Sequence, residues 1–184
     1  MTIDGVRAVH GWRIAGWGLA ALLFLLPLVA MRYTREVDWT AADFAFAGAM
    51  LGGTGMLVEL AVRASRNLRY RAGAGLLLAA CFLLIWINGA VGIIGDEGNP
   101  LNLLYLGVVA IAVIGSLVVR FRPDGMAIAA GAAAIAQGAM IAVAATHGGN
   151  APPGLIGLIG LNAVFTALFG AAAWLFHAAA RDRG

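Results

Sequence analysis

Residues 72–94 read AGAGLLLAACFLLIWINGAVGII, a run of 23 without an ionised side chain, preceded by Arg69 and Arg71 and followed by Asp96 and Glu97. At about 1.5 Å per helical residue, such a run crosses the roughly 30 Å hydrocarbon core of a bilayer. A helix on the surface of a soluble domain needs a polar face, and this one has none. Similar apolar stretches occur at 14–31, 41–62, 101–119, 126–145 and 155–180. The sequence therefore predicts an all-α integral membrane bundle of six transmembrane helices, a single domain over residues 1–184 with short loops.

Composition points the same way. The chain is 62% hydrophobic and 11% charged, and soluble domains carry about 25% charge. The spans use nearly every residue, so chemistry has to sit inside the bundle or on its joins. All 12 basic residues are arginines placed beside span ends, which marks topology and argues against a nucleic-acid surface. Cys81 is the single cysteine, so neither an intrachain disulfide nor a thiolate metal cluster is expected. The first span exceeds a signal-peptide core and lacks a good small-residue cleavage site at Leu28-Val29-Ala30, so it reads as a retained helix.

The joins alternate in charge. Arg7, Arg13, Arg63, Arg66, Arg69, Arg71, Arg120, Arg122, Arg181 and Arg183 fall on one side, and Arg32 and Arg35 on the other, with Glu36, Asp38, Asp96 and Glu97. The positive-inside rule places both termini in the cytoplasm, and an even number of spans closes that topology. Local signals mark the ends. Thr40 and Asp43 form a capping-box-like pair, Asn99-Pro100 opens the fourth helix, Pro123-Asp124-Gly125 reads as a tight turn, and Pro152-Pro153 starts the sixth.

Small residues govern helix contact in lipid. Gly or Ala fills 13 of the 20 positions from Met126 to Ala145, which predicts a central helix or a subunit interface. Gly48 and Gly52 make a GxxxG pair.

Polar groups at depth are the candidates for function, because lipid makes them costly. Asn88, Gln137 and Asn162 lie about 9, 12 and 10 Å below the external ends of their spans, in one layer. They serve either as interhelical glue or as the lining of a polar cavity. An external acidic rim of Asp43, Asp96 and Glu97 stands above them, with Asn99, Asn102, His147 and Asn150. No ligand spacing of a metal loop is present. Glu59 and Arg63 make an i,i+4 ion pair near the cytoplasmic interface. His10 and His177 share a side, which leaves a b-type haem as a remote option; no cofactor is expected.

The hairpin from Trp86 to Pro100, the segment Asp38-Trp39-Thr40-Ala41-Ala42-Asp43 and the turn Arg120-Phe121-Arg122-Pro123 resemble an uncharacterised family of small multi-pass bacterial inner-membrane proteins. The resemblance implies that location and no activity. Two readings follow. The first is a non-catalytic accessory or structural subunit whose partners are the lipid bilayer and further copies or other membrane proteins. The alternative is a small transporter or channel passing a small solute or cation through the amide layer. No catalytic motif is found, so an enzyme is not expected.

Overall fold

The computed structural model describes residues 3–96, 98–147 and 154–182, with side chains from Gly11 onward except Trp12. Arg7, His10, Glu97, Asn150, Pro152, Pro153 and Arg183, all invoked above, therefore lie outside the described residues or side chains. The described residues are all-helical: α1 (Ile3–Tyr33), α2 (Ala41–Ala64), α3 (Leu68–Val91), α4 (Leu103–Val118), α5 (Pro123–His147) and α6 (Gly154–Arg181), with a 3-10 turn at Pro100–Asn102. Six of these helices are long and apolar enough to cross a membrane, the 3-10 turn being counted with α4. Chain contacts divide the molecule into two compact units, residues 1–60 and 61–184.

The first unit is an antiparallel pair joined by side chains. Gly55 stands where a Cβ would lie 3.0 Å from the Trp17 indole, and Gly48 where one would lie 3.4 Å from the Phe24 ring. Seven residues separate the two aromatics and seven separate the two glycines, in opposite directions, so both contacts belong to one register. Gly52, expected to pair with Gly48, has nothing within 4 Å of a Cβ placed on it. The working glycine is Gly55, because a large knob on the facing helix selects positions by register. At the far end Phe44 meets Phe24 and Trp39 edge-on, with centroids 5.7 and 5.3 Å apart. Thr40 and Asp43 form the expected cap. The Thr40 backbone N–H donates to Asp43 Oδ2 (2.7 Å), and the Asp43 N–H lies 3.4 Å from Thr40 Oγ1.

In the second unit α5 packs most extensively against α6, α6 also against α3, and α4 against α5, with a smaller contact between α3 and α4. These four helices close a ring around a core of Leu77, Leu84, Tyr105, Ala133, Phe165 and Phe169. The glycine-alanine helix is therefore a ring member with two main neighbours. Its smoothness lets backbones approach: a Cβ at Gly115 would lie 2.9 Å from Ala129 Cβ.

Most boundaries lie some residues from those read in the sequence, and α1 starts at Ile3 instead of residue 14; three of the differences have a clear local cause. Asn67 caps α3, accepting from the Tyr70 N–H at 3.0 Å, so the helix starts four residues before Ala72. It stops at Val91 because Gly92 takes φ +69°, a conformation that costs glycine little. Ile93 and Ile94 leave the helix yet stay buried at 3% and 0% exposure. Pro123 begins α5 instead of a turn, since proline suits the first helical position. The reversal comes earlier, at Arg120 and Phe121, both with left-handed φ (52° and 58°). Tyr70 steadies it by donating its hydroxyl to the Phe121 carbonyl (2.9 Å).

Candidate functional site in the four-helix unit

Three polar side chains of the four-helix unit are fully buried: Tyr105 on α4, Gln137 on α5 and Asn162 on α6. Gln137 Nε2 donates to Asn162 Oδ1 (2.9 Å), and Asn162 Nδ2 donates to its own helix at the Leu158 carbonyl (2.8 Å). That carbonyl can only accept, so it fixes which end of the Asn162 amide is nitrogen, and Asn162 in turn fixes Gln137. Gln137 Oε1 is thus turned into the core, where it has no hydrogen-bond partner among the described residues. The Tyr105 hydroxyl is buried in the same unit and has no hydrogen-bond partner among the described residues. An unsatisfied buried polar atom costs about 1–3 kcal/mol.

The expected layer is therefore resolved into two parts. Gln137 and Asn162 are bonded directly. Asn88 is bonded elsewhere: its Nδ2 donates to the Asn102 carbonyl (3.0 Å), and its Oδ1 lacks a partner among the described residues. Tyr105 had no place in the sequence-derived layer. The available signal was its position one helical turn after Asn102, which carries an apolar body with a polar tip into the core.

Asn102, first read as part of a rim, is 3% exposed and organises the hairpin. Its Oδ1 accepts from the backbone N–H groups of Ile93 (3.1 Å) and Ile94 (2.9 Å), while Nδ2 donates to the Asp96 carbonyl (2.6 Å). One amide thereby satisfies the backbone freed where α3 stops, and holds two isoleucines in the core. Of the acidic rim, Asp96 accepts from the Gly98 N–H within its own turn (3.0 Å), and Asp43 serves the α2 cap. The two acids fall in separate units.

Glu59 is held from across the helix pair. Arg13 binds it through both Nε (3.1 Å, to Oε1) and Nη2 (to Oε2), and Trp17 Nε1 donates to Oε1 (2.9 Å). The contact expected with Arg63 is local to α2; the ligands supplied by α1 come from the tertiary register. The arginines of the four-helix unit also have structural tasks. Arg71 donates to the carbonyls of Ser65 and Val62 (both 2.7 Å), which closes the end of α2, and Arg69 pairs with Asp182 (2.8 Å). His177 is exposed in α6, beside Trp174 and Asp124. Among the described residues no group of three or more His, Cys, Asp or Glu is placed to hold a metal. Comparison with family models, curated proteins and solved structures finds no match, so the functional reading rests on this chain's own side chains.

Proposed function

We propose that the protein is a non-catalytic integral membrane subunit of the bacterial inner membrane, which packs with copies of itself or with other membrane proteins. The observation that carries this reading is the use of the deep amides. Gln137 joins α5 to α6, Asn162 locks onto its own helix, and Asn88 ties α3 to the start of α4. The Gln137 and Asn88 bonds hold helices to one another, as interhelical amides do in lipid at about 0.6–2 kcal/mol each, and the Asn162 bond to its own helix fixes the amide that Gln137 meets. The outward face of α5 supports the same reading: Ile128, Ala132, Ile135, Ala139 and Ala142 are exposed at alternating steps of four and three. Three of these five are alanines, which leave shallow positions beside the two isoleucines into which another helix can fit closely.

Arginine placement supports an orientation with both termini in the cytoplasm. Cysteines introduced singly into the joins test it by membrane-impermeant labelling, on a low background because Cys81 is buried. The functional reading is tested by gentle extraction. It expects an oligomer or a co-purifying membrane partner, and Gln137→Leu lowers stability without altering any solute flux. An isolated monomer that associates with nothing sinks it.

A second reading, a small transporter or channel, draws on the oxygens of Asn88, Tyr105 and Gln137 that no described residue satisfies. Flux in proteoliposomes that disappears on replacing Asn88, Gln137 and Asn162 together is its test; unchanged flux removes the site.

A further inference from the structure

The reversal between α4 and α5 is built more firmly than a topology signal requires. Arg120 and Phe121 both hold left-handed φ, a costly backbone for residues that carry a Cβ. Four hydrogen bonds keep it in place: Arg120 N–H to the Leu117 carbonyl (3.0 Å), Phe121 N–H to Ser116 (3.1 Å), Arg122 N–H to Val119 (3.2 Å), and the Tyr70 hydroxyl to the Phe121 carbonyl (2.9 Å). The points at which Arg120 and Arg122 leave the chain are therefore fixed. With Asp124 they line an open cleft of about 460 Å³, within the roughly 300–1,000 Å³ of small-ligand sites. Arg13, Arg69 and Arg71 each have a partner inside the protein. The side chains of Arg120, Arg122 and Asp124 make no hydrogen bond or ion pair among the described residues. A second hollow begins at the same Asp124. It holds about 530 Å³ and is lined by Ala127, Ile128, Ala173 and Trp174, with His177 at its rim. Ile128 and Trp174 are 72% and 67% exposed, so this groove between α5 and α6 opens outward from the bundle.

We propose that this corner of the four-helix unit is a binding site for a phospholipid with a primary-amine headgroup, of the phosphoethanolamine class. The polar cleft carries both signs of charge and shares Asp124 with an apolar groove. Its ligand therefore combines an anion, a cation and a hydrocarbon chain. The phosphate oxygens accept from the guanidinium groups of Arg120 and Arg122, whose planar forks match phosphate geometry. The ammonium donates to the Asp124 carboxylate, and one acyl chain lies along Ile128 and Trp174. Basic pockets between membrane helices hold anionic headgroups. The carboxylate makes this one different, because it repels a second negative charge and attracts an ammonium. A choline headgroup has no N–H to give it, and a glycerol headgroup brings no positive charge. Asp124 also suits its own helix, since the first turn of α5 favours an acid. The site rests on the reading of the chain as a membrane protein and is independent of its having protein partners.

The test is native mass spectrometry of the full-length protein in mild detergent, titrated with ethanolamine, choline and glycerol phospholipids of identical chains. The ethanolamine lipid is expected to bind about fivefold more tightly than the choline lipid. Arg120→Gln together with Arg122→Gln weakens all three lipids by roughly tenfold. Asp124→Asn lowers ethanolamine-lipid binding about fivefold and leaves glycerol-lipid binding level or raised, a reversal that misfolding does not produce. All three side chains are exposed, so these changes leave the core alone. Equal affinity for the three headgroups, or an Asp124→Asn variant that keeps its ethanolamine preference, overturns the proposal. Glycerophosphoethanolamine, the same headgroup without chains, should fail to displace the lipid at matched concentration. Displacement would assign the cleft to a water-soluble ligand and remove the groove from the site. A protein that retains no lipid of any headgroup breaks the membrane reading beneath the site, whereas retention without headgroup preference breaks the site alone.

Discussion

The two units solve the problem of joining apolar helices in different ways. Only 6% of the α1 and α2 spans is buried within the protein, against 28% to 33% for α3 to α6. The pair has to be held by a few strong, registered contacts: the Glu59 carboxylate with Arg13 and Trp17, and two aromatic rings laid on glycines. The ring of four uses small residues, so backbones approach until buried amides on neighbouring helices can bond. In a medium that gives helices no hydrophobic reason to associate, both routes work. They fail differently. The pair depends on single contacts, whereas the ring depends on polar groups that become costly once their partners go.

The largest expected effect follows from that difference and falls at Asn102. Replacing it with Ala strands the N–H groups of Ile93 and Ile94 together with the Asp96 carbonyl, and destabilises the protein by about 3 kcal/mol in denaturant-induced unfolding. A loss below about 1 kcal/mol would show that the hairpin backbone finds other partners, and the contrast between the units would weaken. Next comes Gly115→Val. Its Cβ would meet Ala129 Cβ at 2.9 Å, a contact between two helices with no flexible tip to yield. Overpacking of this kind costs about 1–3 kcal/mol.

In the helix pair the expected effect is smaller. Glu59→Gln and Arg13→Met should each destabilise by about 1 kcal/mol, with a coupling of similar size in the double mutant. The estimate sits between exposed and buried ion pairs because the Arg13 and Glu59 side chains are 37% and 16% exposed. Strictly additive effects would mean that the guanidinium and the carboxylate act independently, leaving Trp17 as the real tether.

How much of this the sequence disclosed depends on the range of each interaction. Six apolar helices were legible, since hydropathy and length are local properties, and the Thr40–Asp43 cap was legible for the same reason. Hydropathy could not end α3 before Ile93, because isoleucine is equally apolar inside and outside a helix and the stop belongs to Gly92 and the Asn102 latch. The bond between Gln137 and Asn162 agrees with the depths assigned to them, whereas Asn88 shared the depth and bonded elsewhere. Depth is a one-dimensional coordinate; the direction a side chain takes around its helix is set by neighbours. Glu59 makes the same point, with ligands 46 and 42 positions away.

The smallest effect expected tests register most sharply. Gly48 and Gly52 satisfy the spacing of a helix-packing motif, but only Gly48 faces a neighbour, the Phe24 ring. Gly52→Ala therefore meets open space in a helical backbone, where alanine is favoured over glycine by up to about 1 kcal/mol in propensity and reduces unfolded-state entropy. Stability should stay level or rise by a few tenths of a kcal/mol. Gly55→Ala should instead fall by about 0.5–1 kcal/mol, since its Cβ would press on Trp17 at 3.0 Å and displace the indole from Glu59. A loss at Gly52 as large as that at Gly55 would reveal a second helix seated on the open glycine. Loss of a native oligomer in Gly52→Ala, with the folding of the single chain unchanged, would assign that helix to another subunit.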